Sequence, residues 1–201
     1  MLVTKSFPDM MKPLWEMLIA GGYVFLGHRF FAASLISVFF GTLTIAVVVQ
    51  LGFRMFGRST GLYAGTVAAS LLGYIHLSRW TQGQMTSIFF LLSAALVYEA
   101  GVRASSRRQG YLFLAGVLAG ATLPIHPQYI SICVLVPLWE SARLFRGWRS
   151  HILSLRQGIV TLVVLVGGIA LPITIGEVCV HMARLLGIPA GSWVASLYLQ
   201  L

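Results

Sequence analysis

The sequence predicts an all-α, polytopic bundle of membrane helices, and three observations carry that prediction. Charged residues make up 9% of the chain against 58% apolar residues, and the mean hydropathy is +0.87. A soluble domain is about a quarter charged, so this chain has too few charges to solvate a surface. The apolar residues lie in runs near the length that crosses a bilayer, about 20 residues. The basic residues fall in short clusters between those runs, as they do at the flanks of membrane spans. Together these exclude a soluble enzyme, a disordered tail and a cytosolic binding module. A length of 201 residues suits one domain. The expectation is a single transmembrane domain over 1–201: an external loop and interfacial helix at 1–29, six membrane helices at 30–180 and an external tail at 181–201.

The elements follow in order. Leu14–Leu26 is apolar but too short to span, with Gly21-Gly22 at its centre and Pro13 suited to a first helical turn. It reads as an interfacial or re-entrant helix. The first span is Phe30–Phe53, between Arg29 and Arg54. The second runs from about Gly61 to Leu77, between Arg58 and Arg79, and the third from Met85 to Val102, between Gln82-Gly83-Gln84 and Arg103. The stretch Tyr111–Ala142 is too long for one span at about 1.5 Å per residue. Pro124-Ile125-His126-Pro127-Gln128 interrupts it, and two prolines with a histidine break a helix and seek water or a partner. Two short helices are therefore expected, Tyr111–Ile125 and Tyr129–Ala142, which fit if they tilt little or end at a water-filled cavity inside the protein. The last span is Ile159–Val180, which contains Pro172 and Glu177.

Charge tests the count. Nine of the 14 Lys and Arg residues fall in three loops: Arg54 and Arg58; Arg103, Arg107 and Arg108; Arg143, Arg146, Arg149 and Arg156. Six spans put all three loops on one face, which the positive-inside rule makes cytoplasmic. Five spans would split them. Both termini, the 79–84 loop and His126 then lie outside. The N-terminus has no basic region followed by an apolar stretch and a cleavage site. An external N-terminus without such a signal leads us to expect a missing upstream span, in preference to a first span inserted as a reverse anchor. The net charge of +9 does not indicate nucleic-acid binding, because the cations flank spans and do not form a patch. Cys133 and Cys179 lie in apolar runs and read as buried free thiols. No Cys/His spacing suits a metal, and no cofactor is expected.

Several short motifs stand in a particular order: Pro13-Leu14, Arg29 at the head of a span, Phe56-Gly57 before Gly61-Leu62-Tyr63-Ala64, then Leu77-Ser78-Arg79, Phe89-Phe90, and Gly116-Val117-Leu118-Ala119-Gly120 leading to Leu123 and Pro127. Over residues 13–145 this order resembles the polyprenyl-phosphate-sugar-dependent glycosyltransferases of the GT-C class, relatives of the dolichyl-phosphate-mannose protein mannosyltransferases and of the lipid A aminoarabinose transferase. The resemblance implies a transferase in a cell-envelope membrane, the bacterial inner (plasma) membrane, that moves a sugar from a polyprenyl-phosphate donor to an acceptor at the outer face. The sequence names neither sugar nor acceptor. The family places its catalytic Asp well upstream of the Pro-Leu motif, in a region this chain does not contain. Asp9 is too near Pro13 to be that residue, and Gln82-Gly83-Gln84 stands where family members often carry an acid.

The reaction needs a carboxylate to deprotonate the acceptor and cations to stabilise the leaving phosphate. Arg79, with Gln82 and Gln84 beside it, is the leading candidate for phosphate binding, against a reading as an interfacial anchor. His126 stands where the family often has a Lys; it is either a phosphate or acceptor contact or a satisfied interhelical histidine. Arg29 joins the candidate binding set, against helix-end snorkelling. Glu16 is the weak candidate for a base, against a solvated interfacial carboxylate. Glu99 with Arg103 and Glu140 with Arg143 read as helix-surface pairs. The competing functions are a non-catalytic scaffold or lipid-binding protein of the same fold, and a small transporter subunit, which the lack of an inverted repeat disfavours.

Overall fold

The computed structural model describes residues 12–26, 31–79, 83–104, 107–125, 130–149 and 155–185. Every described element is helical: α1 (Pro13–Leu26), α2 (Phe31–Phe56), α3 (Arg58–Ser70), α4 (Leu72–Arg79), α5 (Gln84–Arg103), α6 (Arg108–Gly120), α7 (Ile130–Arg149) and α8 (Leu155–Leu185). The all-α bundle is as expected, but six membrane spans are not found among the described residues. Among the described residues three helices are long and apolar enough to cross a membrane: α2, α5 and the Arg156–Cys179 portion of α8. These make the chain an integral, multi-pass membrane protein.

The other three expected membrane helices are not full spans, for separate reasons, although the two within Tyr111–Ala142 are expected to be short. The expected span Gly61–Leu77 is two helices, α3 and α4, parted at Leu71, whose backbone is extended (φ −67°, ψ 114°). Hydroxyls compete for carbonyls just before that break: Ser70 Oγ donates to the carbonyls of Thr66 and Val67, at 2.9 and 3.1 Å. Gly73, in the first turn of α4, makes the helix weak on the far side of the break. α6 has 13 residues, about 20 Å of helix, and passes into turns at 121–125. α7 has 20 residues, but its second half carries Glu140, Arg143, Arg146 and Arg149.

Small residues close the hairpins. After Gly57 (φ 97°), α3 folds back on α2 with Gly52 against Gly61; a Cβ on Gly52 would stand 2.6 Å from the Gly61 Cα. Helices approach this closely only where side chains vanish. The same device joins α6 to α8, where Gly116 meets the Leu165 carbonyl and Gly168, and Gly120 meets Ile169. Here the Gly116-x-x-x-Gly120 spacing does pack helices. The apolar core sits at this junction: Ala94, Ala119, Cys133, Leu165 and Ile169, flanked by Leu118, Leu123, Val136 and Ile173.

Helix ends gather in two groups. At one, Arg103 Nη2 donates to the Arg54 carbonyl at 3.0 Å, Gly101 packs on Tyr111, and Tyr98 of α5 meets Glu140 of α7. This basic end holds the C-termini of α2 and α5, the start of α6 and the second half of α7. At the other, Trp15 of α1, Gly83 before α5 and Ile125 after α6 meet.

Candidate functional site

The second group of ends holds the candidate residues that fall within the described residues, Glu16, Gln84 and Arg79. Gly83 lies in the left-handed region (φ 76°), which an L side chain rarely adopts. A Cβ there would also stand 2.9 Å from Trp15 Cδ2 and 3.1 Å from Ile125 Cγ2. Glycine is thus required twice over, once by the backbone and once by the fit. The result is a three-way junction: the buried Trp15 indole clamps α1 onto the head of α5 and onto the turn that ends α6.

The junction is recessed. Gly41 stands about ten residues into α2, roughly 15 Å along its axis at 1.5 Å per residue. A Cβ on Gly41 would contact Ser78 Cβ of α4 at 3.1 Å and Met85 Cε of α5 at 3.7 Å. The Tyr74 hydroxyl of α4 donates to the Gly41 carbonyl at 2.5 Å. α4 therefore ends, and α5 begins, about three turns inward of the first residue of α2. The first turns of α2 rise past them, with α1 alongside through Gly22 and Ile36.

Three candidates can be placed in this frame. Glu16 follows Trp15 on α1 and is partly buried. Burial pushes its carboxyl above the usual carboxylate range, and the Lys12 cation pulls it part of the way back. Gln84 opens α5, and its Oε1 is buried without a hydrogen-bond partner. Arg79 ends α4 and is exposed. Arg29, Gln82 and His126 lie outside the described residues. Gly83 and Ile125, the next residues in the chain to Gln82 and His126, are two of the three that meet at the junction.

The sequence reading missed the polar floor of this end. Thr86 and Ser87 are fully buried, and their hydroxyls have no partner. The available signal was a Gln-Met-Thr-Ser run at the head of an otherwise apolar helix. It also missed an apolar cleft of about 220 Å³ beside the junction, lined by Leu14 and Met17 of α1, Ala121 and Pro124 after α6, and Pro172 and Ile175 of α8. Among the described residues no three His, Cys, Asp or Glu side chains group together as metal ligands would. Chemically, this end combines a carboxyl of raised proton affinity, an amide, two buried hydroxyls and an exposed guanidinium beside an apolar cleft.

At the basic end the expected pairs exist, with one correction. Arg103 meets Glu99 at 2.5 Å, partly exposed as expected. Glu140 with Arg143 is not a surface pair: Glu140 is fully buried and accepts from Arg143 Nε at 2.7 Å and Nη2 at 2.5 Å. Tyr98 OH also donates to it, and Arg108 stands 4.0 Å away, neither of them foreseen from spacing along α7.

The dolichyl-phosphate-mannose-protein mannosyltransferase family profile matches residues 10–174. The chain belongs to that family. The match begins just before α1 and ends within α8, so it takes in both ends of the bundle and extends past the 13–145 stretch on which the motif resemblance stood. No curated protein and no solved structure matches the chain. Mannosyltransferase-family membership and the apolar helical architecture together describe a membrane protein of glycosyltransferase type.

Proposed function

We propose that the chain forms part of a membrane glycosyltransferase that receives a sugar from a polyprenyl-phosphate donor at the recessed end, on the outer face of a bacterial inner membrane. The family match across α1–α8 carries this reading. The recess supports it: a lipid-linked phosphate entering sideways needs polar donors below the membrane surface and an apolar path beside them. Arg79 with Gln84, and Gln82, His126 and Arg29 in the neighbouring segments, make up the proposed donor set, and the 220 Å³ cleft suits an isoprenoid chain. Glu16 is the proposed proton acceptor in this part of the protein, since a raised pKa makes a carboxylate a better base near neutral pH.

The test is the affinity of a polyprenyl-phosphate hexose for the chain in nanodiscs. A charge-assisted hydrogen bond is worth about 1.5–3 kcal/mol, so Arg79→Ala should weaken binding by roughly 10- to 100-fold. Arg103→Ala, at the other end, should leave it unchanged. Equal affinity of the wild type and Arg79→Ala would leave Arg79 as an interfacial anchor. A second reading, a lipid-binding scaffold without transfer activity, is favoured by one observation: Glu16 is the sole carboxylate among the described residues of α1, α4, the first turn of α5 and the 121–125 turns. Affinity without transfer by the whole protein would select it.

A further inference from the structure

A second apolar groove runs between α5, α6 and α7, away from the recess, with a volume of about 330 Å³. That falls within the range of small-ligand sites, about 300–1,000 Å³. Leu91, Leu92 and Ala95 of α5, Ala115 of α6, and Val136 and Trp139 of α7 form its walls. At its end Tyr98 hydrogen-bonds to the buried Glu140. Arg143 occupies both Glu140 oxygens, so that carboxylate is already matched by one guanidinium. Arg108 is the second. Its Nη2 lies 4.0 Å from Glu140 Oε1, beyond hydrogen-bond reach, and its Nη2 and Nε are both buried without a hydrogen-bond acceptor.

The groove ends at Tyr98, and one hydrogen bond beyond it two guanidiniums share the Glu140 carboxylate. One positive charge and two buried N–H donors are left over, while about a quarter of each arginine side chain stays exposed. A buried donor without an acceptor is unfavourable, and an anionic oxygen would satisfy it bidentately. Arg54 and Arg58 add charge at the same end, where Glu99 is already taken by Arg103. The chemistry that fits both halves is an alkyl chain carrying an anionic phosphate. We propose that this groove binds an anionic glycerophospholipid, one acyl chain along α5 and α7 and its phosphate on Arg108 and Arg143. Charge complementarity argues for a phospholipid: cations gather at the face turned to the cytoplasmic leaflet, where anionic phospholipids lie. The proposal does not depend on glycosyl transfer at the opposite end.

The experiment is native mass spectrometry of the delipidated full chain, titrated with phosphatidylglycerol and phosphatidylcholine of identical acyl chains. The wild type should retain phosphatidylglycerol about tenfold better, a 1.4 kcal/mol preference. Arg108→Gln should abolish most of that preference, and Arg107→Gln, at the exposed neighbouring position, should keep it. Ala95→Trp, which fills the groove from its exposed rim, should reduce retention of both lipids. Equal retention of the two lipids by the wild type would overturn the site without recourse to any variant. So would equal losses in Arg108→Gln and Arg107→Gln, which would mean diffuse attraction, or unchanged retention in Ala95→Trp. Retention of added polyprenyl phosphate but not phosphatidylglycerol would assign the groove to a donor lipid and also overturn it.

Discussion

Glu16 and Gly83 show how single positions set up the recessed end. Burial raises the Glu16 carboxyl, so the folded state favours its protonated form. For an acid shifted upward, the favourable contribution is complete below the unfolded value of about 4.5 and is lost as pH rises through the folded value. The wild type should therefore lose thermal stability as pH climbs above about 4.5, and Glu16→Gln should not show that loss. A melting-temperature series in detergent would check it; parallel curves would mean that the two states bind this proton equally. If Glu16 accepts the acceptor's proton, transfer by the whole protein should rise through the same raised value. At Gly83 the argument is steric. Gly83→Ala forces an L residue to φ 76° and drives a methyl into the Trp15 indole, which should destabilise by about 1–3 kcal/mol. Gly110, which has open space around it, should tolerate alanine without loss. Comparison of the two variants in one detergent melt tests the clamp. Neither effect was readable beforehand. Gln82-Gly83-Gln84 marks a polar loop, but the contact that excludes a side chain comes from Trp15, far off in the chain.

Helix pairs show where sequence reasoning works and where it stops. A glycine pair four apart in an apolar run predicts close approach, and α6 packs on α8 through Gly116 and Gly120. Apolar length located α2, α5 and α8, because hydropathy alone decides whether a helix can sit in lipid. It failed at Gly61–Leu77, where the run stays apolar but Ser70 Oγ shares the Thr66 and Val67 carbonyls with the backbone and the helix breaks at Leu71. It failed again in α7, where the apolar run Ile130–Ala142 continues as a helix through charged residues to Arg149. That continuation is possible because Glu140 is buried against Arg143, Tyr98 and Arg108, partners drawn from three helices. Spacing within α7 revealed the Arg143 contact and nothing of the other two. Removing Glu140 should thus act between helices. Glu140→Ala leaves Arg143 without its acceptor and should cost about 3–5 kcal/mol, as breaking one side of a buried pair does. Glu99→Ala, on a partly exposed pair, should cost no more than about 1 kcal/mol. Unfolding of the two variants in the same detergent measures the difference; equal losses would show that α7 is held by its apolar contacts with α8.

The whole molecule has two chemically different ends, and this polarity leads to an expected orientation. Arg54, Arg58, Arg103, Arg107, Arg108 and Arg143 gather where α2 and α5 finish and α6 begins. The opposite end carries Glu16, Gln84 and the buried hydroxyls of Thr86 and Ser87. Grouping of the basic loops was the reason to divide Tyr111–Ala142 in two, and the helix ends do alternate between the two groups, although half of the passages are shorter or more polar than full spans. Alternation in the fold does not assign sides; charge does. Translocating a loop that carries several arginines is disfavoured against the membrane potential, so the basic end should face the cytoplasm and the recess should face outward. Single cysteines at Arg79 and Arg107 test this, since both positions are exposed and sit at opposite ends. The background is Cys133→Ala with Cys179→Ala, which removes the two free thiols. In spheroplasts a membrane-impermeant maleimide should label the cysteine at position 79 and spare the one at 107 until the membrane is permeabilised. The reverse pattern would turn the recess toward the cytoplasm. A donor sugar presented at the outer face would then never reach Arg79, and the proposed direction of transfer would fall with the orientation.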